Sequence, residues 1–475
     1  MNGARPDRAF RRASAASEQQ EAGLLARRRV RRSQLGSWLA PSDRRDPVQV
    51  LQAQDVDRVP ELVPLRYERM SANPFSFYRG AAALMAADLA TRANTGLFAQ
   101  LAGDAHLANF GGFATAERAM VFDLNDFDET LRGPFEWDVQ RLAASFEVAG
   151  RYRDFTPEQR SALVTEVARS YRDAMAEFSR SSRLDVWYAR MEAEDLVARR
   201  ADELDEARVE AFRRRIAKGR SKTSAKAVSR YTRVLDDGRL ALISQPPFVV
   251  PLRQLLDESQ VDVQGIIDSV LDSYRSTLPD DRRMLLSGYE AMDAARKVVG
   301  VGSVGTRCWI VLLTAREDPS DDLVLQLKQA GPSVLESVLE ASPYDNHGRR
   351  VVEGQRLMQA SGDMLLGWTL ITSTDGVTRH FYVRQMWDWK TSADLDTMEP
   401  EAMKVYAHAC GWSLARAHAR SSSRLSITAY LGSGKSFEKA MCAFAESYAD
   451  QNQRDYEALL AAIDTGRVER SHLES

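Results

Sequence analysis

The spacing of apolar positions changes several times along the chain and divides it into helical and strand-forming blocks. The stretch PFSFYRG leads into AAALMAADLATRANTG, which predicts a helix closed by Gly96. Residues 97–101 predict a short strand. Met120–Leu124 predicts an apolar strand with polar residues at its C-terminal end. Beyond Gly133 and Pro134, the apolar positions Val139, Leu142, Ala143 and Phe146 keep 3.6-residue spacing and predict a helix. Residues 158–232 read as helical with a charged, solvated face, and RVLDDGRLALI reads as a hairpin through its Asp-Asp-Gly turn. Helical spacing resumes over residues 263–295.

The second half changes character. Gly300, Gly302 and Gly305 form G-x-G-x-x-G inside the strand-like block 298–313, and 323–328 is a further β-prone run. A dinucleotide fold would require a helix after the glycines. A β-prone run follows instead, which suits a glycine flap between strands whose N–H groups can cover phosphates. Alternation puts Lys328 on the face of Val324 and Gln326, opposite Leu323, Leu325 and Leu327. RRVVEGQRLMQAS then predicts a helix carrying Glu353. Strands are expected at 364–372 and 380–386, and Trp387 to Lys390 form a connector.

Composition narrows the setting. A chain of 475 residues can bury large cores, and a net charge of −3 with pI near 6.2 argues against a dedicated nucleic-acid binder. Cys308, Cys410 and Cys442 lie far apart and form no C-x-x-C pair, so the expected setting is a reducing cytoplasm. No membrane span is expected, because no apolar run approaches about 20 residues. Residues 1–45 read as a flexible Arg-rich arm, of which AGLLARRRVRRS can form a short helix on docking.

The chemistry concentrates between Gly103 and Glu129, in GDAHLANFGGFATAERAMVFDLNDFDE. A loop with Asp104, His106 and Asn109, followed by a strand ending in Asp123, Asp126 and Asp128, can hold a divalent cation on oxygen ligands and present one more carboxylate as a base. Arg79 either faces solvent or is held for an anion. Asp138 either serves the dipole of its helix or braces the Gly103 loop. LGSGKS at residues 431–436 ends like a Walker loop, but Ala429 occupies the position of the required first glycine, so it is set aside.

GDAHLAN, the strand ending in NDFDE and GPFEWDVQRLAAS resemble the catalytic half of aminoglycoside and choline phosphotransferases, which are protein-kinase-like. Together with PFSFYRGAA, FDLNDFDET and KVVGVGSVGTRC, these motifs more closely resemble a bacterial family catalogued as domain of unknown function 2252, from about residue 33 onward. The phosphotransferase resemblance implies Asp104 as catalytic base and His106 as a residue that orients its loop. It implies Asn109 and Asp126 as ligands of Mg²⁺, with Asp123 and Asp128 as rivals to Asp126. It further implies Gly300, Gly302 and Gly305 as the flap over ATP, Lys328 as the phosphate-pairing lysine, and Glu353 as that lysine's partner. Glu336 and Glu340 are substitutes for Glu353. Two departures stand out: the nucleotide half follows the catalytic loop by about 190 residues in place of preceding it, and Ala102 replaces the usual His.

The expected fold is therefore α+β, a two-lobe kinase-like arrangement in permuted order. Residues 46–290 would form a mainly helical catalytic lobe and 291–395 a β nucleotide lobe of one antiparallel sheet. Residues 396–475 would be helices packing on the first lobe. Lys328 and the flap should face Asn109 and Asp126 across a pocket of about 300–1,000 Å³, with Glu353 reaching Lys328. The expected function is ATP- and Mg²⁺-dependent phosphoryl transfer to a small-molecule or protein hydroxyl. AMP transfer or a nucleotide-binding scaffold on the same fold is one alternative. A metal-dependent hydrolase using the Asp/His cluster is another.

Overall fold

The computed structural model describes residues 8–199, 206–256, 262–318, 321–373 and 375–471. It is an α+β structure, as expected. Its helical part is organised around the helix Phe135–Tyr152, which is buried from Phe135 through Gly150. An all-round apolar helix would need no polar residues, yet this one buries Glu136, Asp138, Arg141 and Ser145. Each of them holds a neighbouring loop. The helices Pro157–Arg180, Pro400–Ser421 and Ser436–Asp464 pack around it in one large apolar core. Thr156 starts the first of these with a capping box to Gln159 and a proline at the first helical position.

The second half builds a six-stranded antiparallel sheet. Its spatial order is Gly367–Thr372, Thr378–Gln385, Leu323–Ala330, Cys308–Ala315, Tyr289–Lys297 and Val249–Pro251. Leu323, Leu325 and Leu327 face a core closed by the amphipathic helix Val263–Arg275. Val324 faces the opposite side, against Ala227, Val228 and Tyr231. The alternation expected for Lys328 thus holds. The helix His347–Met358 lies between the lysine strand and the next strand, and its Val351, Val352 and Met358 join the large helical core.

Several element boundaries differ from the sequence reading. Helical spacing over 263–295 gives two helices, Val263–Arg275 and Asp280–Ser287, and then the strand Tyr289–Lys297. Pairing of Ala294 and Ala295 with Val311 and Ile310 outweighs the helix preference of alanine in that segment. The glycine stretch is not strand: residues 298–307 form the loop joining two paired strands. Residues 60–290 also contain short sheets, including the pair Phe98–Leu101 with Leu131–Pro134 and the hairpin Phe110–Ala114 with Met120–Leu124.

The Arg-rich arm is helical over Arg8–Arg29, while residues 1–7 and the side chains of the Arg11-Arg12 pair lie outside the described residues. Arg27 and Arg32 donate to the carbonyls of Tyr430 and Leu431 and Arg29 to that of Thr95, so docking gives the arm a surface it lacks alone. LGSGKS joins two helices, with no strand before it. No described helix is long and apolar enough to cross a membrane.

Candidate functional site

Two short β-ladders bring the carboxylates together. Phe98–Leu101 delivers the Gly103 loop beside Leu131–Pro134. Gly103 has φ +80°, and a side chain there would strike the carbonyl oxygen of Glu129, so both conformation and crowding demand glycine. In the neighbouring hairpin Phe110 pairs with Leu124, and the ladder continues one step as Asn125 N–H donates to the Asn109 carbonyl at 3.0 Å. Asn109 and Asp126 therefore leave the same end of one hairpin.

The central helix fixes the Gly103 loop from below through residues at helical spacing. Asp138 accepts from Ala102 N–H (2.7 Å) and Gly103 N–H (3.0 Å), which decides between its two readings: it braces the loop. One turn on, Arg141 donates to Asp104 at 2.8 Å, and Ser145 Oγ accepts from Leu107 N–H at 3.0 Å. The Asn109 amide donates to the Asp104 carbonyl at 2.8 Å, which directs its amide oxygen away from the loop. Asp138→Ala should therefore destabilise the protein by about 1–3 kcal/mol for each buried N–H left without an acceptor. Urea unfolding measures this, and an unchanged midpoint would contradict it.

Asp104 keeps a carboxyl raised by burial, with Arg141 opposing that rise. His106 lies 3.7 Å from Asp104, too far for a hydrogen bond, and its Nδ1 is buried without a partner. Burial and the charges of Arg79 and Arg141 hold its imidazole well below the usual range, so the ring is neutral. Arg79 is turned inward into the Asp104 cavity, with its Nε buried and unpartnered.

Across the cleft, Lys328 Nζ reaches Asp128 at 2.7 Å and Asp126 at 3.8 Å. Tyr382, directly opposite Lys328 in the sheet, donates to the other oxygen of Asp128 at 2.6 Å. Burial lowers the Lys328 pKa, but Asp126 and Asp128 outweigh it and keep the ammonium charged. Burial would likewise raise Asp128, yet Lys328 holds it below the ordinary carboxylate value. Asp126, pushed up by burial and by Asp128, is the less committed of the two.

The expected partner of Lys328 is a correction. Glu353 points away and pairs with Arg356 of its own helix at 3.5 Å, because the inward face of that helix is taken by Arg350, Val351, Gly354 and Gln355. Arg350 donates to the carbonyls of Thr130 and Asp128 and so fastens the carboxylate loop. Glu336 pairs with Arg350, not with Lys328. Asp123 is a second correction: it is buried against Arg416 on the far side of the strand and accepts from Ala360 N–H at 3.0 Å. It belongs to the core and cannot reach a metal beside Asp126.

The glycine loop covers the cleft. Gly300 and Gly305 adopt left-handed backbone (φ +60° and +85°), and a Cβ on Gly302 would press on the Arg79 carbonyl at 3.3 Å. Arg69 and Val59 N–H hold the carbonyls of Gly300 and Gly305, and Ser303 Oγ reaches Asp128 at 3.4 Å.

Two cavities meet under this loop, sharing Asp126, Gly300 and Ser303. One, of about 390 Å³, is lined by Lys222, Lys297, Lys328, Arg384 and Lys390 against Asp126, Asp363 and Asp388, and by Tyr231, Met386 and Trp387. The other, of about 460 Å³, holds Arg79, Asp104, His106, Asn109 and Asp128. Lys328 and Asn109 thus sit in adjoining cavities, with Asp126 at their junction.

The basic residues of the first cavity, other than Lys328, were missed in the sequence. Arg384 had a signal, since alternation from Tyr382 places it on the Lys328 face. Lys390 had none, because its direction is set by an irregular connector. Trp387 and Trp389 there have φ of +54° and +55°, a strain of about 1–3 kcal/mol each. The hydrogen bonds Met386 N–H to Val324 and Trp389 N–H to Lys222 hold them.

Residues 58–462 match a family described as "Uncharacterized protein conserved in bacteria (DUF2252)". No curated protein and no solved structure matches.

Proposed function

We propose that this chain, which belongs to the DUF2252 family of bacterial proteins, is a kinase-like phosphotransferase that uses ATP and Mg²⁺. One observation carries the reading. A lysine on the strand after a glycine loop meets, across 200 residues of sequence, the two carboxylates that follow the Asp104–Asn109 loop. Phosphoryl transfer requires an anchored polyphosphate, charge neutralisation and an oriented acceptor. The cationic cavity supplies the first, with Lys328, Lys297 and Arg384 for phosphates and Trp387 and Tyr231 as apolar surface for a base. On this reading the sheet and the helical part are the two lobes of a permuted kinase-like fold, which is tolerated when the original termini lie close together.

The donor set fits Mg²⁺, which takes one or two protein oxygens plus phosphate oxygens. Asn109 and Asp126 would hold it, and bound there it would neutralise charge on the transferring group. The glycine loop over Lys328 favours this reading over a hydrolase, which has no use for either. Asp104 would take the proton of an acceptor hydroxyl in the second cavity. Asp128, fixed by Tyr382, would hold Lys328 in place, the work the sequence assigned to Glu353. Arg79 would face the negative charge that develops between Asp104 and Asp126.

The test is incubation with Mg²⁺ and ATP labelled separately at the α- and γ-phosphate, with metabolite and protein acceptors. Transfer of γ label is expected. Transfer of α label would mean AMP transfer, and transfer of neither would overturn the proposal.

The same cavity predicts a proton linkage. Burial, with Arg384 nearby, lowers the Lys390 ammonium to about 7. A polyanion beside it raises that value, so the complex binds more protons than the free protein. Nucleotide affinity should then strengthen as pH falls from 8 to 6, with proton uptake visible in calorimetry across buffers of different ionisation heat. Lys390→Met should flatten the profile to that of the nucleotide alone. An unchanged profile in the variant would contradict the assignment.

A further inference from the structure

A second cavity system lies away from this cleft. It is a groove of about 1150 Å³ between the N-terminal helix, the start of Phe98–Leu101, the helix Arg183–Tyr188 and residues 419–427. Four arginines line it, Arg132, Arg183, Arg420 and Arg424, and no Asp or Glu is among the described residues that line it. Arg420 and Arg424 are half-buried and Arg132 and Arg183 exposed, whereas Arg44 is matched to Asp88 and Asp455, and the buried Arg141 to Asp104. None of these four forms an ion pair among the described residues. Arg424 donates to the Phe178 carbonyl at 2.8 Å and Arg420 to that of Gln359. Backbone carbonyls orient these two guanidinium groups without an ion-pair partner. Burial and the neighbouring Arg416 accordingly hold Arg420 down to about 10.

The groove also has an apolar edge. The Arg420 guanidinium stacks on Trp187 at 3.8 Å, so it is already fixed in place. Trp187 and Phe98, both lining residues, are 45% and 40% exposed. Arginines without an ion-pair partner beside exposed apolar side chains complement a ligand that is both acidic and apolar. The volume exceeds the roughly 300–1,000 Å³ of small-molecule sites. We propose that this groove docks an acidic peptide segment of a partner protein, with carboxylates on the four arginines and apolar side chains against Trp187 and Phe98. The net charge of −3 on the chain disfavours nucleic acid as the occupant. The docking site does not depend on the phosphotransferase reading. It lies at the Phe98 end of the strand pair whose Leu101 end carries the Gly103 loop, and Ser421 Oγ accepts from Gln100 N–H at 2.9 Å between them.

The test is fluorescence anisotropy with the full chain and a labelled peptide of alternating glutamate and leucine. A glutamine–leucine peptide and a single-stranded oligonucleotide of the same length serve as comparators. Arg132 and Arg183 are exposed, so the variant Arg132→Glu with Arg183→Glu should melt like the wild type. The expected result is saturable binding of the acidic peptide that weakens with salt and falls by about tenfold or more in the double variant. Trp187→Ala should weaken it as well. Absence of saturable binding, equal binding by the double variant, or preference for the oligonucleotide would overturn the proposal.

Discussion

Asp104→Asn is expected to reduce phosphoryl-transfer turnover by about 10²–10⁴-fold, the usual contribution of a general base, and to leave nucleotide affinity at the wild-type level. The asymmetry follows from position. Asp104 lines the second cavity with His106 and Asn109 and takes no part in the lysine-lined first cavity. Asparagine keeps the shape and can still accept from Arg141, but it cannot take a proton from an acceptor. Because the change leaves the Arg141 charge without its carboxylate, a melting curve belongs beside the kinetics. The kinetic split is the readout: kcat falls while the KM for ATP stays. Equal loss of nucleotide affinity would show that Asp104 belongs to the phosphate site.

The second large effect separates two carboxylates only three positions apart. Asp123→Ala should destabilise the fold by about 3–5 kcal/mol, because it leaves the Arg416 guanidinium, 1% exposed, buried without a counterion. The remaining folded protein should bind nucleotide normally. Asp126→Ala should do the reverse, with little change in unfolding midpoint and strong loss of metal-dependent nucleotide binding. Asp126 is partly open at the junction of the cavities, and its nearest cation, Lys328, keeps Asp128. Chemical denaturation and nucleotide titration on both variants decide the matter. A stable Asp123→Ala protein that has lost nucleotide binding would exchange the two roles.

The sequence was legible where a local rule fixes direction. Strand alternation placed Lys328 on the correct face, and glycines between β-prone runs marked the loop that now covers Asp128. The density of Asp and Asn singled out Asp104, Asn109, Asp126 and Asp128, which the fold does bring to one cleft. It was illegible where direction depends on a distant partner. Glu353 and Arg350 share a helix, and only tertiary packing decides that the arginine faces the carboxylate loop. Asp123 looked like its neighbours because nothing local reveals Arg416, which is 293 positions away. The strand Tyr289–Lys297 was hidden by its alanines, whose helical preference is outweighed by the sheet it joins. The arm showed its charge and a short helix but not where it docks, because the carbonyls that receive Arg27 and Arg32 lie some 400 residues on.

The central claim is that the cleft between Lys328 and Asp126 is a nucleotide site, and it can be tested without knowing the acceptor. Titration of Mg²⁺ with a non-hydrolysable ATP analogue into the full chain should give saturable heat. The melting temperature should rise in parallel, corresponding to about 2.7 kcal/mol when ligand reaches 100 times its Kd. Both signals should require Mg²⁺ and be lost in Asp126→Ala. Absence of heat and of any melting shift at millimolar analogue would contradict the account.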